Sequence, residues 1–252
     1  MTFAVAAEAY GRFMGRWSEP LAVRSEPHLG LAPGQRALDV GSGPGALTAV
    51  LVAALGAGAV TAVDPSPPFV EALRARLPGV TVQRASAEAL PFPDATYDLT
   101  AAQLVVHFLT DPVRGLAEMR RVTRPGGRVV TTVWDHAGGG GPLALFWRAV
   151  SDLDPAARGE SDLPGTREGH LVELAGSAGL VDVQPFSVTV ARTFVDAEEW
   201  WEPFTLGVGP AGAHVARLDG VARATLRDRC RQLLPPAPFT LEATAWGAVG
   251  RV

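Results

Sequence analysis

ALDVGSGPG, residues 37–45, joins an apolar strand pattern to a glycine-rich turn and decides the fold class. Glycine has no Cβ, so it adopts positive φ values and lets a ligand approach the backbone closely. The helix predicted after this turn presents unpaired N–H groups to a polar or negatively charged group. The stretch therefore predicts a nucleotide-type cofactor at the turn.

The glycine spacing leaves the identity of that cofactor open. Gly41, Gly43 and Ala46 satisfy the GxGxxG/A pattern of dinucleotide-binding folds, and Gly45 also completes a GxGxG pattern. The carboxylate of Asp39 lies two residues before the first glycine, where it would repel a diphosphate and attract an ammonium group. The carboxylate favours a ligand with an ammonium group.

The order of the predicted elements indicates a parallel, doubly wound α/β sheet. Apolar runs alternate with amphipathic segments from about residue 36 to 134, which is the βαβα order of such sheets. Two later strands have no predicted pairing, and the mostly helical region between them, 195–233, is expected to cover the carboxyl ends of the strands. The predicted strands are 36–40, 59–63, 80–83, 97–102, 128–134, 181–190 and 239–249. The predicted helices are 45–55, 67–76, 112–123, which Pro125-Gly126-Gly127 should end, 143–153 and 168–178.

Composition excludes several functions. A net charge of -4 gives no basic field for a nucleic acid backbone, and the absence of lysine excludes a GxxxxGK[ST] phosphate loop. The single Cys230 forms no internal disulfide or multi-cysteine zinc site, so we expect a reducing cytoplasm and no metal. The uncharged run 46–63 is interrupted by glycines, so we expect no membrane span. The first residues lack a basic start followed by a long apolar core, so we expect no secretion.

An acidic residue ends the second predicted strand. Asp64 follows Gly45 by 19 residues, a placement from which a carboxylate accepts hydrogen bonds from both hydroxyls of a ribose. The alternative is structural, because Asp64-Pro65-Ser66 also suits a turn and helix cap. We favour the ribose interpretation.

Three further segments, added to the glycine turn, resemble one family. RASAEALPFPDATYD at 84–98, LTAAQLVVHFL at 99–109 and RRVTRPGGRVV at 120–130 resemble class I S-adenosylmethionine-dependent methyltransferases of the ubiquinone/menaquinone-biosynthesis type. The resemblance is close over about residues 8–135. It implies a Rossmann-like, seven-stranded, mainly parallel sheet with a helical cap before the last strand. The implied domain spans 1–252, with cofactor-covering helices over 1–35, a cofactor-binding core over 36–135, and later strands and cap over 136–252.

The resemblance also implies a set of cofactor-binding residues. The methionine end of S-adenosylmethionine would lie over the glycine turn, and the adenine would lie by the loop after the third strand. Ser86 stands where relatives usually have an aspartate, so its hydroxyl would accept the adenine hydrogen bond without charge assistance. The residues implied are Tyr10, Arg16, Asp39, Gly41, Ser42, Gly43, Gly45, Asp64, Ser86, Ala87, Glu88, Gln103 and Leu104.

The sequence gives weaker evidence for the residues that would contact the methyl acceptor. His107 follows the fourth strand and His136 the fifth, so either imidazole is a candidate base, although a lone histidine is more often structural. Trp17 could contact the sulfonium or simply pack. Aromatic residues lie in and after the segments that are expected to cover the pocket. They predict an apolar wall of the acceptor pocket or, equally, the core of the cap. The substrate candidates are Trp17, Trp134, Trp147, Trp200 and Trp201.

These observations predict an enzyme that methylates a small, apolar or aromatic molecule and releases S-adenosylhomocysteine. A general base is optional, because the sulfonium is already an activated donor. An NAD-dependent oxidoreductase would share the glycine turn and Asp64. A regulator that binds S-adenosylmethionine without catalysis would share all of the predicted cofactor-binding residues. RNA methylation is disfavoured by the acidic balance. The acceptor atom and the oligomeric state stay open.

Overall fold

Residues 7–252, described by a computed structural model, contain a seven-stranded sheet with the order β3-β2-β1-β4-β5-β7-β6. Strands β1 to β5 are parallel, and β7 lies antiparallel between β5 and β6. The predicted fold class is confirmed. The strands are β1 Ala37–Val40, β2 Val60–Asp64, β3 Thr81–Arg84, β4 Tyr97–Gln103, β5 Thr123–Trp134, β6 Val181–Phe194 and β7 Phe239–Arg251.

Helices cover both faces of this sheet and its carboxyl edge. They are α1 Ala7–Tyr10, α2 Arg16–Leu29, α3 Ala46–Leu55, α4 Pro67–Arg76, α5 Pro112–Val122, α6 Ala144–Leu153, α7 His170–Ser177, α8 Ala197–Trp201, α9 Gly209–Arg217 and α10 Gly220–Leu233. A π-helical turn, Gly11–Gly15, joins α1 to α2, and short 3-10 turns lie at Ala57–Ala59, Val106–Phe108 and Glu202–Leu206. None of the helices over residues 7–252 is both long and apolar enough to cross a membrane.

The central strand β1 shows why the sequence forms a buried parallel sheet. All four of its residues are buried, and it pairs with β2 on one side and β4 on the other. Helices α2 and α3 cover one face with Leu47 and Leu51, whereas α5 packs Leu116 and Met119 against the other. The strand order reverses between β1 and β4, which is the position where doubly wound sheets bind ligands.

The cap lies where the sequence predicts it, between the last two strands in chain order. Helices α8, α9 and α10 occupy 197–233 and share a core with α6 and with the ends of β5, β6 and β7. Phe146 stacks on Phe204 with a centroid separation of 4.5 Å, and Trp200 and Trp201 lie against the same phenylalanine. The cap therefore has its own aromatic core.

Two predicted boundaries are wrong. Pro125-Gly126-Gly127 does not lie in a break after α5, because β5 already begins at Thr123 and pairs there with Tyr97. A Cβ on Gly127 would lie 2.8 Å from the carbonyl oxygens of Arg124 and Asp98, so this glycine permits close backbone approach. Strand β6 continues to Phe194, four residues beyond the predicted end, because it pairs with β7 as far as Phe239.

Candidate functional site

A cavity of about 360 Å³ opens at the carboxyl ends of β1, β2 and β4, and we call it the strand-end crevice. It lies at the point where the strand order reverses, between the glycine turn and the N-terminal helices. Of the predicted cofactor-binding residues, the crevice is lined by Tyr10, Asp39, Gly41, Ser42, Gly43, Asp64, Ser86, Glu88, Gln103 and Leu104. Residues far apart in the chain thus meet in one space.

The three glycines of the turn have different surroundings. Gly41, Gly43 and Gly45 all adopt positive φ values, of 69°, 53° and 96°. A Cβ on Gly41 would lie 2.4 Å from Val105 Cγ2, and one on Gly45 would lie 2.4 Å from Leu73 Cδ1, whereas a Cβ on Gly43 would meet open space. Gly43 therefore leaves room for a ligand, while Gly45 serves packing against α4 and does not line the crevice.

Asp39 is a buried carboxyl group at the floor of the crevice. Thr48 Oγ1 donates a hydrogen bond to Asp39 Oδ2 over 2.6 Å, which ties the end of β1 to α3. Burial raises the pKa of Asp39 to about 7, because desolvation disfavours the charged form more than the Thr48 hydrogen bond favours it. A cationic group placed in the crevice would favour the ionised form.

Asp64 organises the turn and still faces the crevice. Its Oδ2 accepts a hydrogen bond from the Gly43 N–H and its Oδ1 accepts one from the Ser66 N–H, both over 2.8 Å. The position of Asp64 is thus compatible with both a ribose contact and a structural role in the turn. Each carboxylate oxygen has a second lone pair, so the structural bonds leave acceptor capacity for ribose hydroxyls.

The loop after β3 is held by Glu88. Ser86 Oγ donates to Glu88 Oε2 over 3.2 Å, and Glu88 Oε1 accepts from the Asp111 N–H over 2.7 Å. The serine that replaces the usual aspartate at position 86 therefore lies beside the Glu88 carboxylate, which hydrogen bonds hold in place. Ala87 is buried among apolar side chains and does not line the crevice.

The end of β4 and the N-terminal helices close the crevice. Gln103 Nε2 donates to the Ser18 carbonyl over 2.9 Å, while Gln103 Oε1 and Ser42 Oγ are buried without a partner among residues 7–252. Leu104 has a φ of 63°, a conformation that is costly for a side chain with a Cβ. Tyr10 packs edge-on against Phe69 with a centroid separation of 5.2 Å.

A second cavity, of about 40 Å³, lies between the crevice and the cap, and we call it the cap cavity. Tyr10, Leu104 and Phe108 line both cavities, so the two spaces meet at these side chains. Its remaining walls are mainly apolar and come from Phe13, Met14, Trp134, Leu143, Val208, Gly209 and Pro210, together with His107, His136 and Glu160.

Both candidate histidines line the cap cavity. The rings of His107 and His136 are 5.9 Å apart, and His107 Nδ1 is buried without a hydrogen-bond partner among residues 7–252. Burial lowers the pKa of His107 well below its usual value and that of His136 to about 4, so both imidazoles are neutral near pH 7.

Glu160 is a cavity residue that the sequence did not reveal. It lies in the loop between α6 and α7, where no periodic pattern or motif marks it, and it is only 3% exposed. Its Oε2 accepts a hydrogen bond from Trp147 Nε1 over 2.8 Å. Burial raises the pKa of Glu160 to about 7.

Several predicted contacts are not brought to either cavity. Arg16 donates to the Glu199 carbonyl of the cap and lies over the Phe194 ring, because its position on α2 directs it away from the glycine turn. Trp17 also packs on Phe194. Trp200 and Trp201 belong to the cap core, and Trp147 reaches the cap cavity only through Glu160; of the predicted tryptophans, Trp134 alone lines it.

Within residues 7–252, no cluster of three or more histidine, cysteine, aspartate or glutamate side chains is arranged to hold a metal ion. The polar groups of the crevice are instead carboxylates, an amide, hydroxyls, backbone N–H groups and the Arg84 guanidinium. Such groups match an organic ligand with hydroxyl and amino functions.

Comparison with known proteins agrees with this geometry. Residues 38–131 match the family model described as methyltransferase domain. This stretch is therefore similar to methyltransferase domains. The match begins in β1 and ends in β5, so it includes the turn, Asp64 and the end of β4.

Relatives of known sequence match over part of their length. An uncharacterised 37.1 kDa protein in a transposon of Streptomyces fradiae is 41% identical over 106 residues, which are 40% of this chain and 31% of that protein. An uncharacterised methyltransferase of Mycobacterium tuberculosis is 38% identical over 135 residues, 54% of this chain and 52% of that protein. The chain thus spans about half the length or less of these relatives.

Among solved structures, the YcgJ protein of Bacillus subtilis has a fold similar to that of this chain. The superposition has a TM-score of 0.57 with 18% sequence identity, and it covers 94% of this chain and 98% of that protein. At this identity the likeness supports the fold alone.

Proposed function

We propose that this chain transfers a methyl group from S-adenosylmethionine to a small, apolar or aromatic acceptor, as a relative of the ubiquinone/menaquinone-type enzymes. The observation that carries the proposal is the meeting of the two cavities at Tyr10, Leu104 and Phe108. A donor in the strand-end crevice and an acceptor in the cap cavity would have their reacting ends at this junction. Methyl transfer requires such alignment above all.

The crevice fits the donor at both ends. At one end, Asp39, Ser42, Gly43 and Gln103 line the crevice together, and the Asp39 carboxylate with the unpaired Gln103 Oε1 and Ser42 Oγ suits the amino and carboxyl groups of methionine. At the other end, Asp64 has acceptor capacity for a ribose, and Ser86 with Glu88 lies where adenine would bind. When bound, S-adenosylmethionine supplies a methyl group already activated by its positive sulfur.

The acceptor side supports a small molecule. The cap cavity is bounded by aromatic and aliphatic side chains such as Phe13, Trp134 and Val208, and it has room for the reacting end of an acceptor. The chain's net charge of -4 offers no general attraction for a nucleic acid backbone. Exclusion of water by these walls would favour transfer to the acceptor over side reactions.

Isothermal titration tests the donor assignment. The protein is titrated with S-adenosylmethionine, S-adenosylhomocysteine and NAD under the same conditions. We expect one molecule of either adenosyl ligand to bind each chain, and NAD to bind more weakly. Tighter binding of NAD would contradict the proposal and favour an oxidoreductase. Binding of S-adenosylmethionine without methyl transfer to any of a broad panel of small acceptors would favour a regulator.

A further inference from the structure

The arrangement around Glu160 points to a specific use of the cap cavity. Glu160 is nearly fully buried, and its Oε2 is fixed by the Trp147 indole N–H over 2.8 Å. Its other oxygen, Oε1, has no hydrogen-bond partner among residues 7–252 and is not among the fully buried unpaired atoms. Glu160 lines the cap cavity, and Oε1 is the oxygen that the Trp147 hydrogen bond leaves unused.

The other titratable side chains of the cap cavity are His107, His136 and Tyr10. Burial keeps both imidazoles neutral and makes them weak bases, since their pKa values lie far below 7. Burial also raises the pKa of Tyr10 to about 12, so its phenol stays protonated. A general base works best when its pKa is near the operating pH, and among these four groups Glu160 meets that condition.

We propose that Glu160 is a catalytic residue that accepts the proton from a hydroxyl group of a small aromatic acceptor whose reacting end enters the cap cavity. This inference rests on the proposed methyl-transfer function. The aromatic and aliphatic walls formed by Phe13, Phe108 and Trp134 suit the ring of such an acceptor.

The chemistry of the carboxylate favours a hydroxyl over an alkyl amine. An ionised Glu160 would hold an alkyl amine in its ammonium form, which has no lone pair for attack on carbon. A hydroxyl group has lone pairs in its neutral form and becomes a stronger nucleophile as it loses its proton. The carboxylate therefore assists a hydroxyl acceptor and impedes a basic amine.

The step balances in atoms and charge. The acceptor oxygen forms a bond to the methyl carbon as the carbon–sulfur bond breaks, and the bonding electron pair stays on sulfur. The hydroxyl proton goes to Glu160 Oε1. A sulfonium, a neutral hydroxyl and a carboxylate thus give a thioether, a methyl ether and a neutral carboxylic acid, which then releases its proton to solvent.

The test compares the wild-type protein with Glu160→Gln, using S-adenosylmethionine as donor and phenol, 2-naphthol and benzylamine as acceptor probes. Glutamine retains an oxygen that can accept the Trp147 hydrogen bond but cannot accept the proton. We expect wild-type protein to form the aryl methyl ethers. We expect Glu160→Gln to lower kcat by at least about 100-fold, within the usual range for a general base. The Kd of S-adenosylmethionine for Glu160→Gln should differ from the wild-type value by less than about twofold.

A pH profile provides a readout that a merely structural role would not move. For wild-type protein, kcat should rise with pH through an acid limb near pH 7 and then level off. Trp147→Phe removes the hydrogen bond that favours ionised Glu160, so the limb should shift to higher pH. Glu173→Gln, at an exposed carboxylate of α7, is the matched control and should leave the profile unchanged.

The outcomes separate the two proposals. Equal turnover and an unchanged acid limb in Glu160→Gln would overturn the role of Glu160. Methylation of benzylamine but of neither hydroxyl probe, or binding of S-adenosylmethionine without transfer to these phenols, would overturn the hydroxyl acceptor. Failure of the wild-type protein to bind S-adenosylmethionine would overturn the proposed function itself.

Discussion

The strand-end crevice and the cap cavity lie side by side but are constructed differently. Most of the crevice comes from short segments that directly follow β1, β2, β3 and β4, so backbone N–H groups and loop side chains dominate it. The cap cavity takes walls from residues as distant as Phe13, His136, Glu160 and Pro210. The crevice thus depends on local backbone geometry, whereas the cap cavity depends on long-range packing.

This difference separates the two halves of the proposed reaction. The donor site belongs to the sheet, where hydrogen-bonded neighbours position Asp39 and Asp64. The acceptor site belongs to the cap core, where aromatic packing positions Trp147 and hence Glu160. Changes in the cap should therefore alter stability and acceptor use without altering donor affinity, and changes at the ligand-facing positions of the turn should alter donor affinity without altering acceptor use.

The largest effect is expected from damage to the cap core. Trp200→Ala removes a 3% exposed ring from its contact with Phe204, so we expect a loss of about 3–5 kcal/mol in the free energy of unfolding. Urea denaturation measures this loss, with Val221→Ala at an exposed site of α10 as the control. At temperatures where the variant is folded, its Kd for S-adenosylmethionine should stay near wild type. A similar loss of affinity for S-adenosylmethionine would contradict the separation between the strand-end crevice and the cap cavity.

The glycine turn should separate packing from ligand contact. Gly41→Ala places a Cβ against the stiff Val105 side chain at a φ of 69°, so we expect it to destabilise the fold by about 3 kcal/mol. The Cβ of Gly43→Ala would meet open space, so we expect this variant to lose only about 1 kcal/mol in the free energy of unfolding, because of its positive φ. It should nevertheless weaken the binding of S-adenosylmethionine. Thermal unfolding and titration of both variants test this. Equal stability of the two variants would contradict the assigned roles.

The loss of one carboxylate should affect donor binding next. Asp64→Ala removes the acceptor for the Gly43 N–H as well as the proposed ribose contacts, so we expect S-adenosylmethionine binding to weaken by about 1–3 kcal/mol. Isothermal titration measures the change, and Glu71→Ala at an exposed position of α4 is the control. An unchanged Kd would remove Asp64 from the donor site.

The last effect concerns pH, since each region contains a buried carboxyl group whose pKa burial raises to about 7. The pKa values of Asp39 and Glu160 are raised to about 7 in the folded chain, above their usual values of 3.8 and 4.5. Between these limits the folded state binds more protons than the unfolded state, so stability falls as pH rises from about 4 to 7. Asp39→Asn and Glu160→Gln should each reduce the fall in Tm of the ligand-free protein between pH 5 and pH 8. A variant that keeps the full wild-type fall would show that its carboxyl group is not the source.

The parts of the fold that the sequence predicted are those encoded locally. The glycine turn, the five parallel strands and the position of the cap follow from apolar periodicity and from turn residues near them. The early start of β5 was missed because Pro125-Gly126-Gly127 is typical of a helix end, whereas pairing with Tyr97 extends the strand to Thr123. Pairing across the sheet is a long-range interaction that the local pattern does not contain.

The site divides in the same way. Asp39 and Asp64 were predicted from their places beside the glycine turn and at the end of β2, and Gln103 from the family resemblance; all three line the crevice because strand ends meet at one edge of a parallel sheet. Arg16 was misplaced because the sequence shows a helix but not its rotation about its own axis. Glu160 was missed because a loop rich in glycine and proline has no period, and only the tertiary contact with Trp147 brings it to the cavity.

A crystal structure with S-adenosylhomocysteine bound tests the central claim most directly. We expect the homocysteine end over Gly43 and beside Asp39, the ribose hydroxyls on Asp64, and the sulfur at the junction lined by Tyr10, Leu104 and Phe108. The cap cavity should continue from the sulfur toward Glu160. A ligand bound outside the strand-end crevice, or a sulfur that faces away from the cap cavity, would contradict the account.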